Sequence, residues 1–216
     1  MKRLSISLLV FFLTSIAFAQ DKYINSMQSA IAQLYSAQAP ADFDPVINTL
    51  TRIGQAEPDQ WEPHYYVALS QVFKSFRLQE PSAKDAVLDQ ALAAVKQGTV
   101  VAPNNAELLA LEGFTNMMKL SVDPATRGQS YTPRIMAAFG RAMALDPTNP
   151  RAALFMAQMQ IGTAQFFGSS IAEPCQLVQK SIGLFDSFQP NSPISPMWGK
   201  EMVKEYAGMC TQTSGQ

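Results

Sequence analysis

The chain has 216 residues, of which 47% are hydrophobic and 15% are charged, and its 16 basic and 17 acidic residues give a net charge of −1. This balance lacks the cationic excess of nucleic-acid-binding proteins and of proteins held at anionic membrane surfaces. Ala, Gln, Met and Leu are frequent and alternating runs of β-branched residues are few, which predicts an all-α protein.

The N-terminal residues have the three parts of a secretory signal peptide. Basic Lys2 and Arg3 precede an uncharged, mostly apolar run over 4–18, and Ala17-Phe18-Ala19 resembles a cleavage site. The alternative is a membrane anchor, but a spanning helix needs about 20 apolar residues. We therefore expect residues 1–19 to be removed after Ala19. The remaining residues, 20–216, form one predicted domain that is periplasmic or secreted, with no stable membrane insertion.

Apolar periodicity together with helix start and stop signals predicts nine helices in the exported part of the chain. The predicted ranges are 22–37, 43–56, 62–78, 84–100, 105–120, 133–145, 150–165, 173–187 and 195–210. The sharpest boundary is the Asp146-Pro147-Thr148-Asn149-Pro150 turn, because proline cannot continue the first helix and suits the first turn of the second.

A repeat is the strongest signal in the chain. Prolines followed by short polar residues recur at Pro58, Pro103, Pro147 and Pro190, with spacings of 45, 44 and 43 residues. Positions five, eight and twelve residues before these prolines lie on one helical stripe. These positions are all apolar or small: Ile53, Gly98, Ala142 and Phe185; Leu50, Val95, Phe139 and Ile182; Val46, Ala91, Ile135 and Val178. Ten residues after the first three prolines stand Ala68, Gly113 and Ala157, all small enough for a close helix contact.

This pattern resembles the tetratricopeptide repeat, most closely over 138–147. The resemblance implies a right-handed helical-hairpin solenoid. Its units would be about 22–59, 60–104, 105–148 and 149–191, followed by a capping helix over 195–210 with a charged outer side. The period exceeds the usual 34 residues or so. We expect the extra residues in loops at 76–84, 120–132 and 163–173.

Several segments resemble a narrower group, the secreted tetratricopeptide-like proteins of Gram-negative bacteria. The resemblance rests on the segments 61–68, 122–131, 146–152, 166–168 and 196–200. It supports export and the repeat fold, and it brings no activity with it.

Cys175 and Cys210 are predicted to form a disulfide. They fall at the start of the helix over 173–187 and the end of the helix over 195–210, which lie side by side if the two helices form an antiparallel hairpin. An oxidising compartment favours the bridge. The alternative is a pair of separate buried thiols.

Catalytic motifs are scarce. His64 is the single histidine, which rules out paired-histidine metal sites, and the chain has neither a glycine-rich phosphate loop nor a nucleophile elbow. His64 is expected to pack or to lie at the surface, and Glu201 and Glu205 beside Lys200 and Lys204 are typical of a solvated helix face. We therefore predict no catalytic, metal-binding or cofactor-binding residues and no cofactor.

The inner surface formed by the first helix of each unit is the predicted binding site. It is expected to present Tyr65, Leu69, Phe73, Phe114, Met117, Met118, Arg151, Leu154, Gln158 and Ile161. Methionine and aromatic side chains suit adaptable recognition of an apolar segment. The alternative is that many of these side chains are core, covered by loops or by Trp198.

Two functions from different classes remain. The first is a non-enzymatic adaptor that binds a protein or peptide partner of unknown identity in the groove. The second is a carrier or binding component for an apolar small molecule. An enzyme is the third choice because no catalytic motif is present.

Overall fold

A computed structural model describes residues 20–213, with side chains described through 211. It contains nine α-helices over those residues: α1 over 20–36, then α2 Phe43–Ala56, α3 Glu62–Ser75, α4 Pro81–Val101, α5 Ala106–Val122, α6 Pro124–Leu145, α7 Pro150–Phe166, α8 Ala172–Ser187 and α9 Val203–Thr213. Short 3-10 turns lie at Pro40–Asp42 and Lys200–Met202. The expected signal peptide lies outside the described residues. Over the described range, no helix is both long and apolar enough to cross a bilayer.

The helices pack as antiparallel hairpins that stack side by side. The hairpins α3–α4, α5–α6 and α7–α8 each contact the next unit, and α9 covers α8 at the end. The first helices also contact one another, α3 with α5 and α5 with α7, so they form one layer of the stack. We call the side of this layer that carries Tyr66, Phe114 and Arg151 the inner face.

The repeated apolar positions build the core between layers. Val46, Leu50, Ala91, Val95, Ile135, Phe139 and Val178 are all at most 2% exposed. The small positions also have their expected role: a Cβ added to Gly113 would lie 2.5 Å from Cε1 of Phe139. The 44-residue period therefore reflects equivalent packing positions in successive hairpins.

Helix caps repeat with the same period. Asn105 precedes α5 and accepts from the backbone N–H of Leu108 at 3.1 Å, while Asn149 precedes α7 and accepts from that of Ala152 at 2.8 Å. Each cap satisfies a backbone donor that the first helical turn leaves unpaired. These asparagines fix where α5 and α7 begin, whereas α3 has no side-chain cap.

Part of the extra length lies in longer helices, which corrects the predicted loops in part: residues 76–80 and 167–171 are non-helical, but the rest of the ranges 76–84 and 163–173 is helical. α4 has 21 residues and α6 has 22, and the expected loop over 120–132 is helical apart from Asp123. Pro124 starts α6 because proline at the first helical position needs no N–H partner, and the Asp123 side chain accepts from the N–H of Thr126. Pro133 sits inside α6 at an exposed position.

The last helix begins at Val203, later than the predicted start at 195. Residues 188–199, which we call the strap, are not helical. Pro190, Pro193 and Pro196 remove a backbone donor every third residue, and Gly199 has a φ of 99°. The predicted capping character is present, because the charged residues of 200–205 are exposed.

The predicted disulfide is confirmed. Cys175 near the start of α8 and Cys210 near the end of α9 are bonded, with their Cα atoms 5.5 Å apart. The bridge holds the last helix against the last hairpin, and it closes a loop of the chain that contains the whole strap.

Candidate functional site

The strap lies across the inner face and places Trp198 at its centre. The indole is 4% exposed and is surrounded by three phenylalanine rings, which we call the aromatic box. Ring centroids lie 5.1 Å away for Phe114, 5.5 Å for Phe155 and 5.9 Å for Phe73, one from each of the three first helices. The box therefore exists only when α3, α5 and α7 are stacked.

Three hydrogen bonds fix the strap, and two of them reach its backbone. The Tyr66 hydroxyl donates to the carbonyl of Ile194 at 2.9 Å, and Arg151 Nη1 donates to the carbonyl of Trp198 at 3.2 Å. The indole Nε1–H of Trp198 donates to the Tyr65 hydroxyl at 2.8 Å. The inner face thus holds a non-helical segment, which includes a turn at 192–195, by its main chain and by one aromatic side chain.

A buried ion pair supports these contacts. Arg151, only 1% exposed, makes a two-pronged contact with Glu107, with Nε–Oε2 at 2.8 Å and Nη2–Oε1 at 2.5 Å. Its guanidinium also lies over the ring of Phe188 in the strap, 5.0 Å from the centroid. Burial alone would lower the pKa of Arg151, but the Glu107 carboxylate raises it above its ordinary value. Arg151 is therefore a permanent cation inside the inner face.

Glu107 connects the units. Besides Arg151, its carboxylate accepts from Asn149 Nδ2 at 2.7 Å and from the Tyr65 hydroxyl at 3.4 Å. Burial, followed by the charge of Glu107, raises the pKa of Tyr65 well above its ordinary value, so the phenol stays protonated. The hydroxyl can then accept from the indole while donating to Glu107.

The residues predicted for the groove divide into two sets. Tyr65, Phe73, Phe114 and Arg151 contact the strap, as described above. The other six lie along the same helices, with Leu69, Leu154, Met117 and Ile161 buried and Met118 and Gln158 partly buried. Oε1 of Gln158 is buried and has no hydrogen-bond partner within the described range. The apolar inner face is thus largely covered by the chain itself.

Sequence reasoning missed Tyr66, Glu107, Phe155 and the strap residue Phe188. A signal for Glu107 was present, because Glu62, Glu107 and Arg151 each stand four residues after a repeat proline. Equivalent positions in stacked units are neighbours, so opposite charges there predict a pair. No such signal marks the strap, because its position depends on tertiary contacts.

Part of the aromatic surface remains open beside the strap. Tyr35, Phe76 and Met197 are 43%, 47% and 58% exposed, and we call them the rim. The rings of Tyr35 and Phe76 both pack against Phe73, at 6.5 and 6.0 Å, so the rim continues the aromatic box to the surface. Burial raises the pKa of Tyr35 to about 12, so its hydroxyl is neutral at physiological pH.

Two other features lie away from the strap. A cleft of about 480 Å³ lies at the α7–α8 turn, where it is lined by Ser169, Ser170, Ile171 and the disulfide. His64 packs at the start of α3 beside Gly54 and Gly98, and burial lowers its pKa. Gly168 lies in the exposed turn after α7 and does not share a pocket with Trp198.

No protein-family model matches the chain, and no curated protein matches it in sequence. Solved structures do match its fold. The HusA haemophore from Porphyromonas gingivalis superposes with a TM-score of 0.78 at 22% identity, covering 89% of this chain and 94% of that one. A thermophilic tetratricopeptide protein of Thermus thermophilus superposes with a TM-score of 0.52 at 13% identity, covering 91% and 94%. The chain therefore has a tetratricopeptide-like helical-hairpin solenoid fold.

Proposed function

We propose that this protein is an exported, non-enzymatic binding protein whose inner face takes a non-helical segment of a peptide or protein partner. One observation carries the proposal: the inner face already binds a non-helical segment, the strap. Tyr66 and Arg151 contact its main-chain carbonyls, which any partner chain also possesses. The aromatic box adds a pocket for one large side chain. Main-chain contacts with side-chain pockets are the usual chemistry of peptide recognition.

Export is supported by two features of different kinds. The residues at 1–19 have the pattern of a signal peptide, and Cys175 and Cys210 form a disulfide, which is typical of oxidising compartments. Periplasmic and secreted locations both agree with these features.

Selection of binding peptides tests the proposed function. Random peptides displayed on phage would be selected on the full-length protein, and the affinities of the selected peptides would then be measured by calorimetry. In a Trp198→Ala background, where the strap no longer packs on Phe73, we expect Phe73→Ala to weaken binding by at least about tenfold, since truncation of an aromatic anchor costs about 1–3 kcal/mol. Leu145→Ala, a half-exposed position at the end of α6, is the matched control. Equal loss in both variants, or no selectable peptide, would refute the proposal.

A second candidate is the binding of an apolar small molecule at the rim, and the exposed cluster of Tyr35, Phe76 and Met197 favours it. HusA is described as a haemophore, which makes haem the first ligand to test. The chemistry of the rim suits such a ligand, because aromatic rings can pack on a macrocycle and a thioether, such as that of Met197, serves as an axial ligand of haem iron.

Absorbance titration with haem separates this candidate from the first. Phe76→Ser should reduce haem affinity, whereas Val100→Ser, an exposed apolar position at the end of α4, should leave it unchanged. If the wild-type protein gives no spectral shift, or if both variants lose affinity equally, the rim is not a haem site.

A further inference from the structure

We propose that the strap is a built-in competitor, and that the partner of the inner face is a non-helical segment whose tryptophan enters the pocket now filled by Trp198. This inference rests on the proposed function. It adds the chemistry of the partner and the event that must accompany binding, which is release of the strap.

The strap occupies the place of a missing helix. Pro190 continues the series of repeat prolines, and in earlier units the residues after the proline begin the first helix of the next hairpin. Here the prolines of the strap prevent that helix, and a non-helical segment lies on the inner face instead. No hairpin of the stack is built from the strap, so the repeat architecture can persist when the strap leaves.

The strap can detach from the inner face while both of its ends stay attached to α8 and α9. It is tied at one end to α8, which stops at Ser187, and at the other to α9, which the Cys175–Cys210 bridge holds on α8. Ile194, Pro196, Trp198 and Gly199 are its buried residues, and the others are exposed or partly exposed. A loop fixed at both ends stays near its site, so its effective concentration is in the millimolar range and a partner must outcompete it.

The pocket selects for tryptophan by shape and by polarity. Three rings pack around the indole, and the Tyr65 hydroxyl accepts its N–H at 2.8 Å. A phenylalanine in the same place has no N–H to donate to Tyr65. A glycine should follow the tryptophan, because a Cβ at Gly199 would lie 3.3 Å from Cζ of Phe185 and 3.4 Å from Cγ of Arg151.

The test uses a blocked synthetic peptide with the sequence of residues 188–199, titrated into the full-length protein. In the variant Trp198→Ala the strap lacks its anchor, and we expect this variant to bind the peptide at least about tenfold more tightly than wild type does. A peptide carrying phenylalanine for the tryptophan should bind Trp198→Ala at least about tenfold more weakly. Adding Tyr65→Phe should shrink the difference between the two peptides, because the acceptor of the indole N–H is then gone.

Each outcome decides the inference. A folded Trp198→Ala protein, with wild-type helical circular dichroism, that does not bind the tryptophan peptide would overturn it. If Trp198→Ala does not fold, Trp198→Phe keeps an aromatic side chain in the box, and it should still bind the peptide more tightly than wild type does. Phage-selected peptides that bind the inner face without a tryptophan, while Trp198 fluorescence stays that of the docked strap, would support the proposed function and refute this inference.

Discussion

Arg151 shows how a full positive charge is held inside an apolar layer. Its donors are satisfied by the two oxygens of Glu107 and by the carbonyl of Trp198, and its flat face lies on Phe188. The planar, forked guanidinium suits this arrangement, whereas lysine would present a single point charge. The residue therefore joins two repeat units and the strap.

Arg151→Met should destabilise the protein strongly. Removing the cation leaves the Glu107 carboxylate in a largely buried site with only neutral donors, and breaking a buried ion pair from one side costs about 3–5 kcal/mol. Urea unfolding measures the change. Arg134→Met is the control, because Arg134 is exposed and contacts the ring of Tyr131 at 5.7 Å; its effect should stay below about 1 kcal/mol. An equally small loss of unfolding free energy in Arg151→Met would show that the Arg151–Glu107 ion pair is not desolvated in the folded protein.

Replacing glycine by alanine should have opposite effects on the stability of the protein at two positions. Gly113→Ala places a Cβ 2.5 Å from the Phe139 ring, and overpacking of this kind costs about 1–3 kcal/mol. Gly128→Ala, inside α6, meets nothing within 4 Å and should stabilise the protein by about 0.5–1 kcal/mol, because alanine favours the helix. Thermal unfolding of both variants tests this pair. A shift of the same sign in both would contradict the close helix contact at Gly113.

Helices and loops can be predicted from the sequence only where the contacts that form them are local. The helices of the repeat follow from apolar stripes and from proline and asparagine signals that lie within each helix. The loop predicted over 120–132 is wrong because the range contains Pro124, Gly128 and polar residues, which are typical of loops, whereas Pro124 here starts a helix. The helix predicted over 195–210 begins too early, because nothing local shows that residues 195–199 belong to the strap and that Trp198 lies on helices more than 40 residues away in sequence.

An ion pair at the ends of α4, α5 and α6 should make stability fall in acid. Arg127 forms two contacts of 2.6 Å with Asp85, and this hydrogen bonding lowers the pKa of Asp85 below its ordinary value. A lowered folded-state pKa adds stability above the unfolded-state value of about 3.9, and that stability is lost as the pH falls through the folded-state value.

Urea unfolding between pH 5 and pH 2 (about the range in which carboxylates titrate) measures this dependence. Asp85→Asn should flatten the fall in the free energy of unfolding, and Arg127→Met should flatten it less, because Lys119 Nζ still lies 3.5 Å from Oδ1 of Asp85. Part of the slope remains in both variants, because the pKa values of Asp42 and Asp123 are also lowered by hydrogen bonds. An unchanged slope in Asp85→Asn would contradict the assignment.

Reduction of the disulfide should loosen one end of the chain. The bridge closes a loop with a sequence separation of 35, which corresponds to about 3–4 kcal/mol in the chain-entropy model. Hydrogen exchange should therefore become faster in α9 and the strap after reduction, while amides of α3 and α5 keep their protection. The doubly substituted chain Cys175→Ser, Cys210→Ser should behave like the reduced protein. Uniform loss of protection across all helices would argue that the bridge stabilises the whole solenoid.

The strap changes how this repeat protein unfolds. Stacked hairpins contact only their neighbours and can unfold from one end. Here the contacts of Ile194 with Tyr66 and of Trp198 with Tyr65 span 128 and 133 residues of sequence, and they tie the second hairpin to the end of the chain. The strap therefore makes α3 to α9 more of a single cooperative unit.

Trp198→Ala should make unfolding less cooperative. We expect a smaller m-value in urea, or separate transitions when helix content and fluorescence of the remaining Trp61 are followed together. Met197→Ala changes a neighbouring but exposed strap residue and should keep one sharp transition. Loss of stability with an unchanged m-value in Trp198→Ala would mean that the strap adds packing without coupling the units.

The long sequence separation of the strap contacts also predicts the order in which parts of the fold form. Hairpins close through contacts between adjacent helices and form early, whereas loop-closure entropy delays contacts that span 128 residues. The phenylalanines of the aromatic box are then assembled before Trp198 arrives to cover them. During that interval the most apolar surface of the protein faces solvent, where another chain at the same stage can meet it. The yield of folded protein then depends on how quickly one short segment docks, and a variant can lose yield with little change in its final stability.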